Sequence, residues 1–429
     1  MAQDTVSYDA VLKDVYEGGI RELIPTKTKV LQWWEDGDSS AWTGREIVYP
    51  SRVGRNQGVA WASEMGALPA AGKQRYVDTR IPVRYLYGRI TLSAQVMKST
   101  ESNRGAFAPA FRQEMDGIIL DLQNERGRSI FGTGQGIYAF INGAANSVTQ
   151  TLDNPGGYVS TTNGARFLNP GMVVGLVNPA TGQLRSGSVK TIQSFSTTGT
   201  TITLDSAMNA SDNDYLVRCQ TTSVTDVSDT SYQKEIMGLG GHIDDGTYVQ
   251  TYHNVNRTTY PVAASTVITG VGAWSADALQ RAIDLADQRG GGAISDIAMH
   301  HSLRRAYIVS MQADRRYIGA DIMSPDSGTK AAKLRQLTFG GIPITEDKYA
   351  PYNTAFMCDR SGWRRYPLVA GEWANEDGAI LCRVGTGSTA QDAFEALYRI
   401  WDEFHTDYSN RCARLDGFTG TTITVAHID

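Results

Sequence analysis

Apolar residues recur along this chain with two different periods, and the changeovers divide it into stretches. From Arg45 to Arg89 the spacing is that of strands: REIVYPSRV opens the stretch, and RYVDTRIPVRYLYGRITLS closes it with Tyr76, Thr79, Ile81, Val83, Tyr85 and Tyr87. Between them GVAWASEMGALPAAGKQ is rich in Gly and Ala and has no helix caps, which predicts a long extended hairpin with a flexible tip. Phe107, Phe111, Met115, Ile118 and Leu122 then fall at helical spacing and predict one long, half-buried helix over about 106–131. Asn103 can cap its start, Arg126 and Arg128 suit the negative end of its dipole, and Gly132 can stop it.

Ile137 to Glu235 is rich in Thr, Ser and Gly. MVVGLVN, GSVKTIQSFS, TITLD and DYLVRC read as short strands between turns, which predicts a small inserted barrel or sandwich. The pattern then becomes mixed. SADALQRAIDLADQRG predicts a helix capped by Ser275, with Leu279, Ala282, Ile283 and Ala286 buried and Gly290 past its end. AISDIAMH reads as a strand, Ser302 starts a second helix, and TFGGIPITED and AFMCD are strands. GAILCRV and AFEALYRIWDEFHTDY read as long strands, although helical period half fits the second. The segment to Thr43 reaches Trp33-Trp34 and breaks at Gly37 to Ser40. It reads as an arm with one short helix, packed on something other than its own core.

A chain of 429 residues suggests two to four structural units. Its net charge of −5 argues against coating nucleic acid by charge neutralisation and favours a container over a binder. The charge is uneven. Residues 45–89 hold eight Lys/Arg against three acids, whereas Gly371 to Asp429 holds ten acids and four arginines. A basic hairpin and an acidic tail could meet between neighbouring subunits, or form two solvated surfaces. Cys219, Cys358, Cys382 and Cys412 make no CxxC pair, so reduced thiols are expected. The first thirty residues lack an apolar signal core, and no apolar run approaches the ~20 residues of a membrane helix. The protein therefore reads as cytosolic and soluble when made, with no membrane partner.

Candidate chemistry is sparse. GALPAAGKQ has one residue too many between its glycines for a phosphate loop, and Gln where a hydroxyl is needed. GTGQG at Gly132 to Gly136 follows a helix and reads as its stop. His300-His301, adjacent in a strand, point to opposite faces. His242 and His253 near Asp244-Asp245 could ligate a metal, but acids before Gly246 also serve a turn. Asp402-Glu403 reads as a solvated edge. No GxSxG, HExxH or basic recognition helix occurs, so no catalytic residue, metal ligand or cofactor is expected.

The order of these parts resembles the major capsid proteins of tailed bacteriophages, with the HK97-like fold. The resemblance lies in RYLYGRITLSAQVMKSTESNRGAFAPAFRQEMDGIILDLQNERGRSIFGTG (Arg84 to Gly134), TFGGIPITEDKYAPYNTAFMCDRSGW (Thr338 to Trp363) and SNRCARLDGFTG (Ser409 to Gly420). It implies an α+β chain with an N-terminal arm over 1–44, an E-loop hairpin over 45–90 and a peripheral domain with its spine helix over 91–136. A β-rich insertion would follow over 137–235, an axial domain over 236–370 and the peripheral return strands over 371–429. It also implies a non-enzymatic subunit that assembles with itself, as pentamers and hexamers, into an icosahedral head in the host bacterial cytoplasm. That head would enclose DNA without sequence-specific contacts, with scaffold, portal and decoration proteins as candidate partners.

The expected inter-subunit contacts are Arg45, Arg52, Arg55, Lys73, Arg75, Arg80 and Arg84 on the hairpin, with Trp33, Trp34 and Trp61. Lysine–asparagine crosslinking occurs in some members of the family, and here Lys73 and Asn353 would be the residues to watch, although a tip lysine serves solubility equally well. No charged helical leader precedes the arm, so a built-in, cleaved scaffold is not expected. Two other readings remain. An encapsulin-like nanocompartment shell shares the fold and would package an enzyme. A β-rich carbohydrate-active protein would need clustered exposed aromatics and paired carboxylates in a cleft, and Trp33, Trp34, Trp42 and Trp61 are the sole aromatic cluster.

Overall fold

The computed structural model describes residues 29–37, 46–99, 110–160, 162–314, 337–375, 380–385 and 391–420. The arm before Lys29, Trp42, Arg45, Asn103 and Phe107 lie outside them. The chain divides into two compact units. Of the described residues, one holds Tyr87–Gln123 and Gly371–Arg399; the other holds those of Lys27–Leu86, Asn124–Ala370 and the chain from Ile400.

The hairpin forms where the strand period predicts it. Glu46–Gly54 and Arg75–Pro82 pair antiparallel, from Glu46 opposite Pro82 to Gly54 opposite Arg75. The second run is two strands, not one. Arg84–Ser93 leaves the hairpin and lies beside Ala393–Thr406 in a separate sheet. Pro82 has no N–H for a ladder and sits at the break. Alternation continues across it, which is why apolar spacing alone does not show it.

The long helix is Ala110–Ser129. Its last turn is held by more than the dipole: Arg126 pairs with Asp402, and Arg128 bridges Glu125 and Glu235 beneath the Tyr138 ring. In the first unit, Gly88 brings the Arg84–Ser93 strand onto Ile118 and Leu122 of this helix.

Of the two predicted forms, the β-rich block takes the barrel. Ile137–Ile141, Ala145–Asp153, Thr201–Ala210, Lys190–Phe195, Val173–Val177 and Tyr215–Arg218 close on themselves in that order. Register shifts at Ser147/Thr149, Ile192/Ser194 and Leu216/Val217 supply the local bends that closure of so small a barrel requires. Ile141, Leu152, Leu176, Ile202, Leu204 and Leu216 fill it without measurable solvent contact beyond 2%.

A six-stranded mixed sheet follows, in the order Thr266–Ile268, Ala413–Asp416, Thr354–Cys358, Asp296–Met299, Ile342–Glu346, Thr338–Phe339. Helix Ala276–Gly290 packs Leu279, Ala282 and Ala286 on it, and helix His301–Asp314 packs Leu303 and Tyr307. Ser275 is the N-cap by position but makes no capping hydrogen bond, and the left-handed stop is Gly291, not Gly290. His301 opens a helix instead of continuing the strand. The GAILCRV strand shrinks to Cys382–Arg383, while Ala393–Thr406 is a fourteen-residue strand as alternation predicts. None of the four cysteines is in a disulfide, and only Cys382 is exposed. Among the described residues no helix is long and apolar enough to cross a membrane.

Arg166 fastens the barrel to the loop after Ile342–Glu346. Its buried guanidinium lies on the Tyr352 ring and donates from Nη1 to the Ala350 carbonyl (2.9 Å) and from Nη2 to that of Lys348. Asn163 Nδ2 adds a bond to Tyr352 Oη (2.7 Å). Arg166→Met keeps most of the volume but strands two carbonyls. We expect it to cost roughly 3 kcal/mol, since each bond to a charged donor contributes about 1.5–3 kcal/mol. The midpoint of denaturant unfolding, followed by circular dichroism, measures this loss.

Candidate assembly surface

A two-stranded ribbon has no core of its own and is marginal when isolated. This one is held at its root. The inward face carries Ile47, Thr79 and Ile81, all buried. Tyr49 Oη bonds both His405 Nε2 and Asp407 Oδ1, the latter at 3.0 Å. The Arg80 amide donates to the His253 carbonyl (3.0 Å), and Asn254 Nδ2 donates to that of Asp78 (2.9 Å).

Beneath the root lies a buried aromatic cluster. Tyr252 stacks on His405 at 5.5 Å, His253 lies 5.0 Å from His405, and Tyr252 Oη reaches His242 Nδ1 (2.8 Å) and His405 Nδ1 (3.2 Å). His242 and His253 thus do converge, but with His405 and aromatic rings. Asp244 instead binds Arg257 and Arg414, and Asp245 closes a turn onto Thr247. No group of three metal-ligating side chains occurs among the described residues.

Asp402 and Glu403 are not a solvated edge. Both are buried: Asp402 meets Arg126 and Arg365, and Glu403 accepts from Arg84 Nε (3.1 Å) and the amides of Met237 (2.8 Å) and Phe404 (2.9 Å). Other tail acids are also engaged in their own chain, Glu395 by Arg89, Glu372 by Arg399 and Asp416 by Arg414. Two hairpin-region arginines therefore meet tail acids within the chain, where a contact between subunits was one expectation.

The tip is the reverse of the root. Asn56 pinches its neck, donating to the Gly72 carbonyl (3.1 Å) and accepting from the Gly58 amide (2.7 Å). A side chain at Gly72 would meet Asn56 Oδ1 at 2.2 Å. Beyond the neck Val59, Trp61, Met65 and Leu68 are each at least 86% exposed. Four large apolar side chains this exposed within ten residues are candidates for an interaction site. Arg52, Arg55, Lys73 and Arg75 are exposed and have no carboxylate within ion-pair distance among the described residues. Arg80 reaches Glu46 only at 3.8 Å, and Arg84 is committed to Glu403.

Trp33 and Trp34 correct the sequence reading. Each is 6% exposed, and Trp34 packs on Trp363 (4.6 Å) and Phe404 (5.0 Å), so they belong to their own chain's core and not to an external contact. Trp61, by contrast, is fully exposed. The sequence reading missed Val59, Met65 and Leu68, whose signal was their lack of any period in a Gly/Ala stretch.

Burial holds His242, His253 and His405 below the usual imidazole range, with Asp407 opposing it at His405. The neutral rings therefore contribute stability that is complete above pH 6.5 and lost as pH falls below it. Glu403 has the opposite sign. Burial raises it to about 7 against the pull of Arg84, so its contribution is lost as pH rises from 4.5 towards 7. Hydrogen exchange at the Tyr49 and Arg80 amides, corrected for intrinsic rate, should therefore quicken from pH 7.5 to 5.5. Glu403→Gln removes the opposing group and should steepen this dependence.

No family model matches the sequence, and no curated protein does. Solved structures do match in fold. The capsid asymmetric unit of cyanophage A-1(L) aligns over 97% of this chain and 100% of its own, at 9% identity with a TM-score of 0.61. The capsid of a native GTA particle aligns over 97% and 99%, at 10% identity and 0.50. A holo-SrpI encapsulin complex from Synechococcus elongatus PCC 7942 aligns over 99% of each chain, at 10% identity and 0.44. With its hairpin, long helix, two sheets and a small closed barrel set between them in sequence, this α+β chain has the HK97-like fold of phage capsid shells.

Proposed function

We propose that this chain is the major capsid protein of a tailed bacteriophage, a structural subunit without catalytic function. The observation that carries the reading is the hairpin: an extended ribbon anchored at one end and tipped with exposed Val59, Trp61, Met65 and Leu68. Uncovered, such a tip costs solubility; covered by a neighbour, it supplies the core of a contact. The root and tip differ, so one copy's tip meets a different surface on the next. Such heterologous contacts close into rings, here pentamers and hexamers of an icosahedral head assembled in the host bacterial cytoplasm. Scaffold, portal and decoration proteins are the other partners, and the DNA is enclosed without sequence-specific contact.

The division of labour belongs to the same proposal: arm 1–44, E-loop 45–90, spine helix and peripheral domain 91–136 with 371–429, insertion 137–235 and axial domain 236–370. The Arg52, Arg55, Lys73 and Arg75 cations would find acids on the neighbour. Each exposed pair contributes about 0–1 kcal/mol. A shell repeats the pair many times.

Negative-stain microscopy with size-exclusion chromatography tests the reading. The chain expressed alone, or with a scaffold, should give closed shells or megadalton rings. A monomer under both conditions would refute it. DNA inside particles made during infection separates the head from an enzyme-packing nanocompartment. In addition, Arg55→Glu with Lys73→Glu and Arg75→Glu should leave the monomer's melting temperature within about 2 °C, because exposed substitutions rarely exceed about 0.5 kcal/mol. The same variant should reduce shell yield at least tenfold.

A further inference from the structure

We infer that Cys358 and Cys412 are the two halves of a latent cross-strand disulfide, which closes when the protein passes from a reducing to an oxidising medium. The inference does not depend on assembly and goes beyond the shell reading above.

Strands Thr354–Cys358 and Ala413–Asp416 pair antiparallel, in a register that runs from Thr354 opposite Asp416 to Met357 opposite Ala413. One step further sets Cys358 opposite Cys412, whose backbone is still extended (φ −106°, ψ 156°). An antiparallel ladder alternates between pairs that exchange hydrogen bonds and pairs that do not. The cysteines are a pair of the second kind, because their carbonyls turn away from each other. That of Cys358 accepts from the Ser295 amide (2.8 Å), and that of Cys412 from the Thr266 amide (3.2 Å). The far end of the ladder agrees in phase: the Gly417 amide donates to the Asn353 carbonyl (3.1 Å), an odd number of positions away. Opposed residues of this kind stand about 4.5 Å apart at Cα, inside the roughly 4.4–6.8 Å that a disulfide spans.

Both side chains also leave the sheet on one face. Phe356, Cys358 and Cys412 belong to the core that contains Trp363, whereas Ala355, Met357, Ala413 and Leu415 belong to the core beneath the two helices. A single buried thiol serves as a small apolar group. Two opposed at one register position also meet the geometry of a bond. Burial raises both thiols, Cys412 to about 12 and Cys358 well above the ordinary range, so thiolate is scarce while the strands are closed. Reaction therefore waits for a local opening. With a small-molecule disulfide as oxidant, one cysteine thiolate attacks it, releases one small thiol and is left as a mixed disulfide. The other cysteine thiolate attacks the protein sulfur of that mixed disulfide, forms the Cys358–Cys412 bond and releases the second small thiol. The protein loses two protons and two electrons, and the small disulfide gains them. The bond fastens Ala413–Asp416, itself paired with Thr266–Ile268, to the middle of the six-stranded sheet. On the shell reading, release of a particle from its host is the passage that would oxidise it.

The test treats the full chain carrying Cys382→Ser, which removes the exposed thiol, with oxidised glutathione in mild urea to populate local opening. Remaining thiols are then blocked in denaturant, and the chain is digested with trypsin without reduction. The digest should contain residues 349–360 linked to residues 412–414, lighter by two hydrogens than the two peptides summed. Returned to buffer, the oxidised chain should melt roughly 5 °C above the reduced one. Cys358→Ala and Cys412→Ala should each abolish that difference. The peptide map needs no substitution in the core, so it decides the matter even where an alanine variant does not fold. Recovery of both cysteines as blocked thiols, or as separate glutathione adducts, overturns the inference. So does a link from either one to Cys219, or a Cys358–Cys412 link that leaves the melting temperature unchanged or lower.

Discussion

The structure turns on how a two-stranded ribbon without a core is held in place. The hydrophobic effect cannot do it alone, since a ribbon one layer thick offers a single inward face, and only Ile47, Thr79 and Ile81 go fully under cover. Directional polar contacts supply the rest. Tyr49 reaches His405 and Asp407, and the Arg80 amide reaches His253, so both strands are pinned to one buried cluster. Hydrogen bonds fix position more sharply than apolar contact does. In any such lever, a small angular error at the root is a large displacement at the tip.

A related solution recurs in the irregular parts of the chain. Arg166, Arg257 and Arg414 are all essentially buried, and each donates to main-chain carbonyls of loops or turns: Arg166 to Ala350, Arg257 to His242 and Arg414 to Ile243. Loop backbone that is buried has no ladder partner, leaving carbonyls that need donors. Arginine offers five donors on one plane and can satisfy several at once. The same residues also meet acids, Arg257 and Arg414 both sharing Asp244, so the buried charge is not left alone.

What the sequence made legible follows from which forces leave a periodic trace. The hairpin, the long helix, the two sheet-packed helices and the strand Ala393–Thr406 all bury one face, and one-faced burial repeats at two or near 3.6 residues. The change of sheet at Pro82 and Val83 left none, because alternation runs on through it. Asp402 and Glu403 misled for a similar reason: they look like any surface acid pair until Arg84, Arg126 and Arg365 arrive from far along the chain. Trp33-Trp34 looked like a sticky arm and is core, since their partners Trp363 and Phe404 lie more than three hundred residues on. In the assembly surface, the hairpin's charge was readable in advance. The exposed tip was not, because Val59, Met65 and Leu68 follow no period and only coordinates show them uncovered.

The distribution of charge then constrains the assembly. Among the described residues after Gly371, Glu372, Glu395, Asp402, Glu403 and Asp416 are engaged inside the chain, on Arg399, Arg89, Arg126 with Arg365, Arg84 and Arg414. Arg52, Arg55, Lys73 and Arg75 have no carboxylate within ion-pair distance among the described residues, and the apolar tip lies between them along the hairpin. Uncompensated charge around an apolar centre is the arrangement of a contact rim and its core. Like charge on neighbouring tips also disfavours tip-to-tip pairing, which would end growth at two copies. On the proposed shell reading, the pattern disfavours the isologous contact and favours a heterologous one.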